Sequence, residues 1–375
     1  MAGSATEQHP RTGPVGIGII GAGVISNTYL ENLNSFADTA VMAIGDLFPE
    51  AAAGKAAEHN VAVSGGPEAV LNHPDVEIVV NLTIPAAHAE VAGQAITAGK
   101  HVWNEKPLSL DRATGKALLA AAEAAGLRVG CAPDTFLGSG LQATRRAIDR
   151  GEIGDPLTAL ILMQGPGPEA WHPNPAFLFQ EGAGPLFDIG PYYLTVLVQT
   201  FGPVATVAAL GSTSRKTRVI GSGPKAGEEF DVTVPSHVSG ILSFESGQSA
   251  QCIFSFDSPL PRTLLEVTGS EATLVVPDPN MFDGDITLRR RGGTEMEMLE
   301  KTTAQSSRGT GVLDLARAIR EDRPHRAQGA LAYHVLDIMV SISESIDLGG
   351  FVTVDSTVDV PPPLPADWDP TAATV

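Results

Sequence analysis

Two short stretches carry groups whose types and spacing can do chemistry. Gly21-Ala22-Gly23-Val24-Ile25-Ser26 is a glycine turn between an apolar run and an amphipathic one, and Glu105-Lys106-Pro107 closes a later apolar run. Gly21 permits a tight turn and Gly23 lets the backbone approach a pyrophosphate. The third position, which governs close helix–sheet packing, is Ser26. The helix that starts at Val24 and Ile25 presents free N–H groups and a positive dipole end to phosphate. In open α/β sheets ligands bind at the carboxyl ends of strands, where strand order reverses. A dinucleotide at the glycine turn and the lysine of Glu105-Lys106-Pro107 would then face one crevice.

Lys106 has two readings. A Lys-Pro pair can simply turn a chain into a helix. Placed beside a positively charged nicotinamide and buried, the ammonium would instead be drawn towards neutrality and could polarise a hydroxyl or exchange a proton, with Glu105 holding it. Asp46 ends the next apolar run, 25 residues beyond Gly21. An acidic side chain there accepts both ribose hydroxyls and repels a 2′-phosphate. Neighbouring Leu47 and Phe48 supply no compensating arginine, so NAD is expected over NADP. Thr83, Ile84 and Pro85 follow the fourth strand, alongside the nicotinamide half. His88, just beyond, either covers the cofactor or packs at a helix start. Asp134 follows the last strand of this unit; it is read as a hydroxyl ligand at the pocket floor, with a helix cap as its alternative.

These residues need a scaffold, and the hydrophobic rhythm supplies one. Val15 to Ala132 alternates strands and helices in the βαβ manner, predicting a Rossmann dinucleotide-binding domain over 14–134. Beyond it, strands succeed one another without helices at 204–210, 236–244, 248–256, 263–269, 272–276 and 285–290. That pattern predicts antiparallel hairpins and an α+β second domain over 135–360. Helices are expected at 141–150, 185–200, 312–321 and 329–347. The loop 211–229 is expected to be mobile. Disordered tails are expected at 1–13 and, rich in proline, at 361–375.

The chain has 375 residues, 43% hydrophobic and 18% charged, enough for two cores rather than one. With 43 acidic residues against 24 basic its net charge is −19, which disfavours nucleic acid and anionic lipid as partners. No apolar run reaches the ~20 residues of a membrane span. No Cys/His cluster has zinc-ligand spacing, so no metal is expected. Cys131 and Cys252 read as buried apolar residues, compatible with a reducing cytoplasm.

Taken together, Gly21-Ala22-Gly23-Val24-Ile25-Ser26, Asp46, Gly99-Lys100-His101-Val102 and Glu105-Lys106-Pro107 resemble the Gfo/Idh/MocA oxidoreductases over roughly residues 15–360. The resemblance implies a carboxyl-terminal domain with a large open sheet, one face over the active site and the other often a subunit interface, hence a homodimer or homotetramer. It also implies a second catalytic signature, an Asp followed four residues later by His. Here the matching segment is Gly182-Ala183-Gly184-Pro185-Leu186-Phe187-Asp188-Ile189-Gly190-Pro191-Tyr192, with tyrosine in place of histidine. Asp188 and Tyr192 fall on one helical face. A tyrosine is a poor base at neutral pH, so a nearby Lys106 cation is expected to depress it, the two working as a coupled pair.

Trp171 suits the C–H face of a sugar, and His172 can bind a hydroxyl or act as the alternative base; both could equally form a packed lid. The implied activity is reversible oxidation of a secondary alcohol on a sugar, sugar derivative or cyclitol. The alternatives are a cofactor-retaining epimerase or lyase and a non-catalytic NAD-binding sensor of the same fold.

Overall fold

The computed structural model describes residues 12–375, so the expected amino-terminal tail lies almost wholly outside the described residues. Val15–Ile20 (β1) is apolar throughout and buried on both faces, as a central parallel strand must be. Ser26–Ser35 (α1) follows it directly. Then come Thr39–Gly45 (β2), Pro49–His59 (α2), Val63–Gly65 (β3), Pro67–Leu71 (α3), Ile78–Asn81 (β4), His88–Thr97 (α4), His101–Asn104 (β5), Arg112–Ala124 (α5) and Val129–Cys131 (β6). The six strands form a parallel sheet in the order β3-β2-β1-β4-β5-β6. Order reverses between β1 and β4, placing the glycine turn and the loop after β4 side by side. The β3–α3 excursion is too short and polar for the hydrophobic rhythm to have shown it.

Ser139–Asp149 (α6) and Pro156–Gln164 (β7) open the second domain, followed by Gly184–Phe201 (α7). Val204–Ser212 (β8), Thr217–Val219 (β9), Glu229–Asp231 (β10), His237–Phe244 (β11), Ser249–Ser255 (β12), Arg262–Gly269 (β13), Ala272–Val275 (β14), Ile286–Arg290 (β15) and Glu297–Glu300 (β16) come next. Thr310–Arg320 (α8), Gly329–Leu348 (α9) and Val352–Thr353 (β17) complete the chain. Nine strands make one sheet, β16-β15-β14-β13-β7-β12-β11-β8-β17. It is antiparallel except where β7 and β12 pair in parallel, a long-range pairing that local hairpin logic does not anticipate. Alternate residues such as Ala159, Ile161, Val238, Leu242, Ala250 and Phe254 point inward beneath α7, while Leu160, Leu210 and Ile241 are exposed on the other face.

Two expectations of disorder are corrected. Inside 211–229, β9 pairs with β10, which begins at the end of that segment, as a ribbon. Arg218 lies almost buried there, ion-paired to Glu169 and Asp257. The proline-rich segment 361–375 has no regular strand or helix but is docked. Leu364 N–H donates to Gln142, Trp368 lies 4.4 Å from the Arg317 guanidinium, and Thr374 donates to the buried Asp38. Buried charges that need partners organise both segments, and hydropathy does not register that. The same logic fastens α8 to the first domain, through Arg317 to Asp38 at 2.7 Å and Arg320 to Glu77 at 2.6 Å.

Candidate active site

A cleft of about 420 Å³ separates the carboxyl ends of β4 and β5 from the amino-terminal half of α7. Ile25, Thr83, Pro85, Glu105, Lys106, Trp171, His172, Asp188 and Tyr192 all line it. That volume is in the range of small-molecule sites.

On its cofactor side, Gly21 adopts φ +110°, and a Cβ there would come within 2.6 Å of the Leu82 carbonyl. A Cβ at Gly23 would meet nothing within 4 Å, so the cradle above the turn is open. Asp46 Oδ2 accepts the Ala22 N–H at 2.7 Å and Oδ1 accepts that of Phe48 at 2.9 Å. A carboxylate has about four acceptor positions, which leaves capacity for two ribose hydroxyls. Val24, Leu47 and Ile84 are 93%, 83% and 68% exposed, apolar surfaces suited to flat heterocycles. These residues fit a dinucleotide. Thr83 Oγ donates to Asn81, which is itself bonded to Asn104 and to the His88 carbonyl, so the loop after β4 is rigidly held.

His88 borders the same cleft and also packs between two loops. Its ring is buried, with Nδ1 2.8 Å from the Pro107 carbonyl and Nε2 3.0 Å from that of Thr83. Burial, ahead of these two carbonyls, holds its pKa below the usual value. The neutral ring has one N–H, so it donates to one of these carbonyls and packs against the other, between the β4 loop and the Lys106-Pro107 loop.

Lys106 reaches across to α7. Its ammonium donates to both Oδ1 and the main-chain O of Asp188, each at 2.8 Å, and lies 5.4 Å from the centre of the Tyr192 ring. Glu105 does not hold the ammonium: Oε2 accepts the Lys106 N–H at 3.1 Å and Oε1 accepts from buried Tyr29 at 2.7 Å. The expectation of a near-neutral Lys106 is therefore corrected. Burial opposes its charge, but Asp188 and then Tyr192 outweigh it, and its pKa lies above the ordinary lysine value. Tyr192 is corrected too. Burial raises its pKa, and the opposing pull of Lys106 and Arg308 does not overcome that.

His172 Nδ1 accepts the Asn174 N–H at 3.0 Å, which places the proton of the neutral ring on Nε2. In this tautomer His172 offers a donor at Nε2 rather than a base. Its ring packs edge-on to Trp171 and Phe177, and Trp171 is 69% exposed. Arg218 anchors the loop beneath them through Glu169.

Asp134 is not brought into the cleft. It is 1% exposed and its Oδ2 accepts the N–H groups of Gly309 and Gly311, at 2.9 and 3.0 Å, at the start of α8. It caps a helix, though one distant in sequence. Arg308, unremarked in the sequence, enters the cleft instead, with Nη2 3.5 Å from the Tyr192 hydroxyl. Its only local signal is an arginine beside the glycines of Arg308-Gly309-Thr310-Gly311, just ahead of a helix.

Residues 15–132 match the oxidoreductase-family NAD-binding Rossmann fold, and residues 141–275 match the Gfo/Idh/MocA C-terminal domain. The chain belongs to the Gfo/Idh/MocA family and is an NAD(P)-dependent oxidoreductase. It is 28% identical over 264 residues to the 1,5-anhydro-D-fructose reductase of Ensifer adhaerens, covering 69% of this chain and 74% of that enzyme. To an inositol 2-dehydrogenase of Rhizobium meliloti (strain 1021) it is 28% identical over 152 residues, covering 40% of this chain and 46% of the other. Levoglucosan dehydrogenase, in its complex with NADH and L-sorbose, has the same fold, with a TM-score of 0.78 at 21% identity over 92% of this chain and all of that one.

Proposed function

We propose that this protein reversibly oxidises a secondary alcohol of a sugar, sugar derivative or cyclitol to the ketone, with NAD in preference to NADP. The observation that carries this reading is the meeting of Lys106, Asp188 and Tyr192 in the cleft that the glycine turn also borders. The sugar and cyclitol enzymes among its relatives support the substrate class, and Asp46 supports NAD. When bound, the nicotinamide supplies the hydride acceptor.

The chain's own residues supply position and proton. Two N–H groups of Lys106 are held by Asp188, and the third is left for the substrate oxygen. A charged ammonium there stabilises the alkoxide character that develops as the O–H proton leaves, before the hydride departs and the carbonyl forms. Tyr192 Oη exchanges the proton of that oxygen. His172 donates from Nε2 to a second hydroxyl, and Trp171 covers the C–H face of the ring. Together they hold the reacting carbon in one orientation.

The exposed Leu160, Leu210 and Ile241 face of the large sheet supports self-association as a homodimer or homotetramer. The buried free cysteines are in keeping with a reducing cytoplasm.

The test is NADH formation with purified protein, NAD or NADP, and a panel of inositols, aldoses, aldonates and anhydrosugars. Turnover on a panel member with NAD is expected. Intact NADH binding with no turnover on any member would overturn the dehydrogenase reading.

A further inference from the structure

We propose that Arg308 is a positioning residue for the reaction: a second cation set against Tyr192 that, with Lys106, governs proton exchange at the Tyr192 hydroxyl. The proposal rests on the reading of Tyr192 as the proton-exchanging group. Substituting tyrosine at this place in the signature creates a physical problem. A buried phenol holds its proton far above neutral pH, and one lysine already committed to a carboxylate offsets that only in part.

The geometry supplies a second cation. Arg308 Nη2 lies 3.5 Å from Tyr192 Oη and its Cζ lies 5.7 Å from the ring centre. Nη2 also donates to Asn280 Oδ1 at 2.9 Å, a neutral partner. Among the described residues no carboxylate lies within 4 Å of the guanidinium, so its charge is not cancelled by contact. Lys106, by contrast, is ion-paired to Asp188 at 2.8 Å. In a chain of net charge −19, an arginine without a carboxylate in contact, lining a cleft, is a selective use of scarce positive charge.

The groups facing Tyr192 come from three elements. Lys106 and Glu105 lie on the loop after β5, Asp188 on α7 itself, and Arg308 ahead of α8. The two cations favour the phenolate and the two carboxylates oppose it.

Arg308 is also held in place before any substrate arrives. Its carbonyl accepts from Asn32 Nδ2 at 2.9 Å, and Asp134 binds the N–H groups of Gly309 and Gly311. At Gly311 a Cβ would fall 2.0 Å from the ring of Trp103, so the chain passes there only as glycine. A cation fixed in this way needs no reorganisation as charge develops on the phenol.

The experiment reads the phenol directly and needs no substrate. Ultraviolet difference titration of the full-length protein with and without Tyr192→Phe isolates the ionisation of Tyr192. Arg308→Met in both backgrounds then gives the contribution of Arg308, and Arg308→Lys restores the charge. Arg308→Gln reads the same comparison should the methionine variant misfold. The Tyr192 midpoint is expected to rise by on the order of one pH unit without the guanidinium and to return in the lysine variant. The alkaline limb of alcohol oxidation is expected to move with it. An unchanged midpoint in folded, NADH-binding Arg308→Met would overturn the proposal, because packing alone would leave the ionisation where it was. Full turnover in Tyr192→Phe would overturn the proton-exchange reading of Tyr192, while the titration would still decide whether Arg308 and Tyr192 are coupled.

Discussion

The ammonium of Lys106 is bound twice by one residue, Asp188, through its carboxylate and its main-chain carbonyl, both at 2.8 Å. This contact joins the first domain to α7 at the centre of the cleft and keeps the lysine charged.

Replacing Lys106 with methionine should therefore remove the charge that stabilises the alkoxide. Turnover should fall by about 10²–10⁴-fold, with NADH affinity near wild type by fluorescence titration. The stability cost should stay well under the ~3–5 kcal/mol of breaking a fully buried pair, since the Asp188 side chain is 24% exposed and can be solvated. Retained activity would show that the lysine only shapes the loop.

With Tyr192 raised above its usual value of about 10, the phenol is protonated at neutral pH. It is then a ready acid and a poor base. Initial rates of ketone reduction should be flat from about pH 6 to about pH 9 in this respect, while alcohol oxidation climbs through the same range. An oxidation rate that levels off near neutrality would point to a different base.

Asp46→Ser should lower the NAD-to-NADP ratio of kcat/KM by about tenfold or more, since ~1.4 kcal/mol is worth tenfold and both a ribose contact and a repulsion are lost. An unaltered ratio would show that Asp46 serves only as the acceptor for Ala22 and Phe48.

Asp134 is pushed up to about 6, chiefly by burial. An unfolded aspartate titrates near 3.9. Between those values the folded chain keeps a proton that the unfolded chain has lost, so this group makes stability fall as pH rises from about 4 to about 6. Asp134→Asn does not titrate and can still accept from Gly309 and Gly311. Urea unfolding at about pH 4 and about pH 7 should show its stability relative to wild type improving by about 2 kcal/mol between the two. A constant difference would contradict the raised value.

Arg218→Met would strand Glu169 and Asp257 in a nearly buried setting. A loss of about 3–5 kcal/mol is expected, together with a KM increase larger than any fall in kcat, because the loop carrying Trp171 and His172 loses its anchor. A rise in KM without loss of stability would show that Arg218 acts on the loop alone.

Much of this protein is local in its sequence. The apolar run of β1, the glycine turn and α1 lie within about twenty residues and specify one another through backbone sterics and periodicity. Asp46, Thr83 and Lys106 follow because strand ends in a parallel sheet come together once strand order is set. Asp188 and Tyr192 share a face because a helix repeats every 3.6 residues. The longer strands of the second domain were legible from their alternation, whereas the short β9, β10, β16 and β17 were not.

What the sequence alone left open is electrostatic and long-range. The charge on Lys106 depends on a carboxylate 82 residues away, and the surroundings of Tyr192 on an arginine 116 residues away. Asp134 was recognisable as a polar residue after a strand, but only the approach of Gly309 and Gly311 decided that it caps α8 instead of lining the cleft. Periodicity records which face of an element is apolar. The energy of a buried charge depends on which partners the folded chain brings within a few ångströms, and no local pattern encodes that distance.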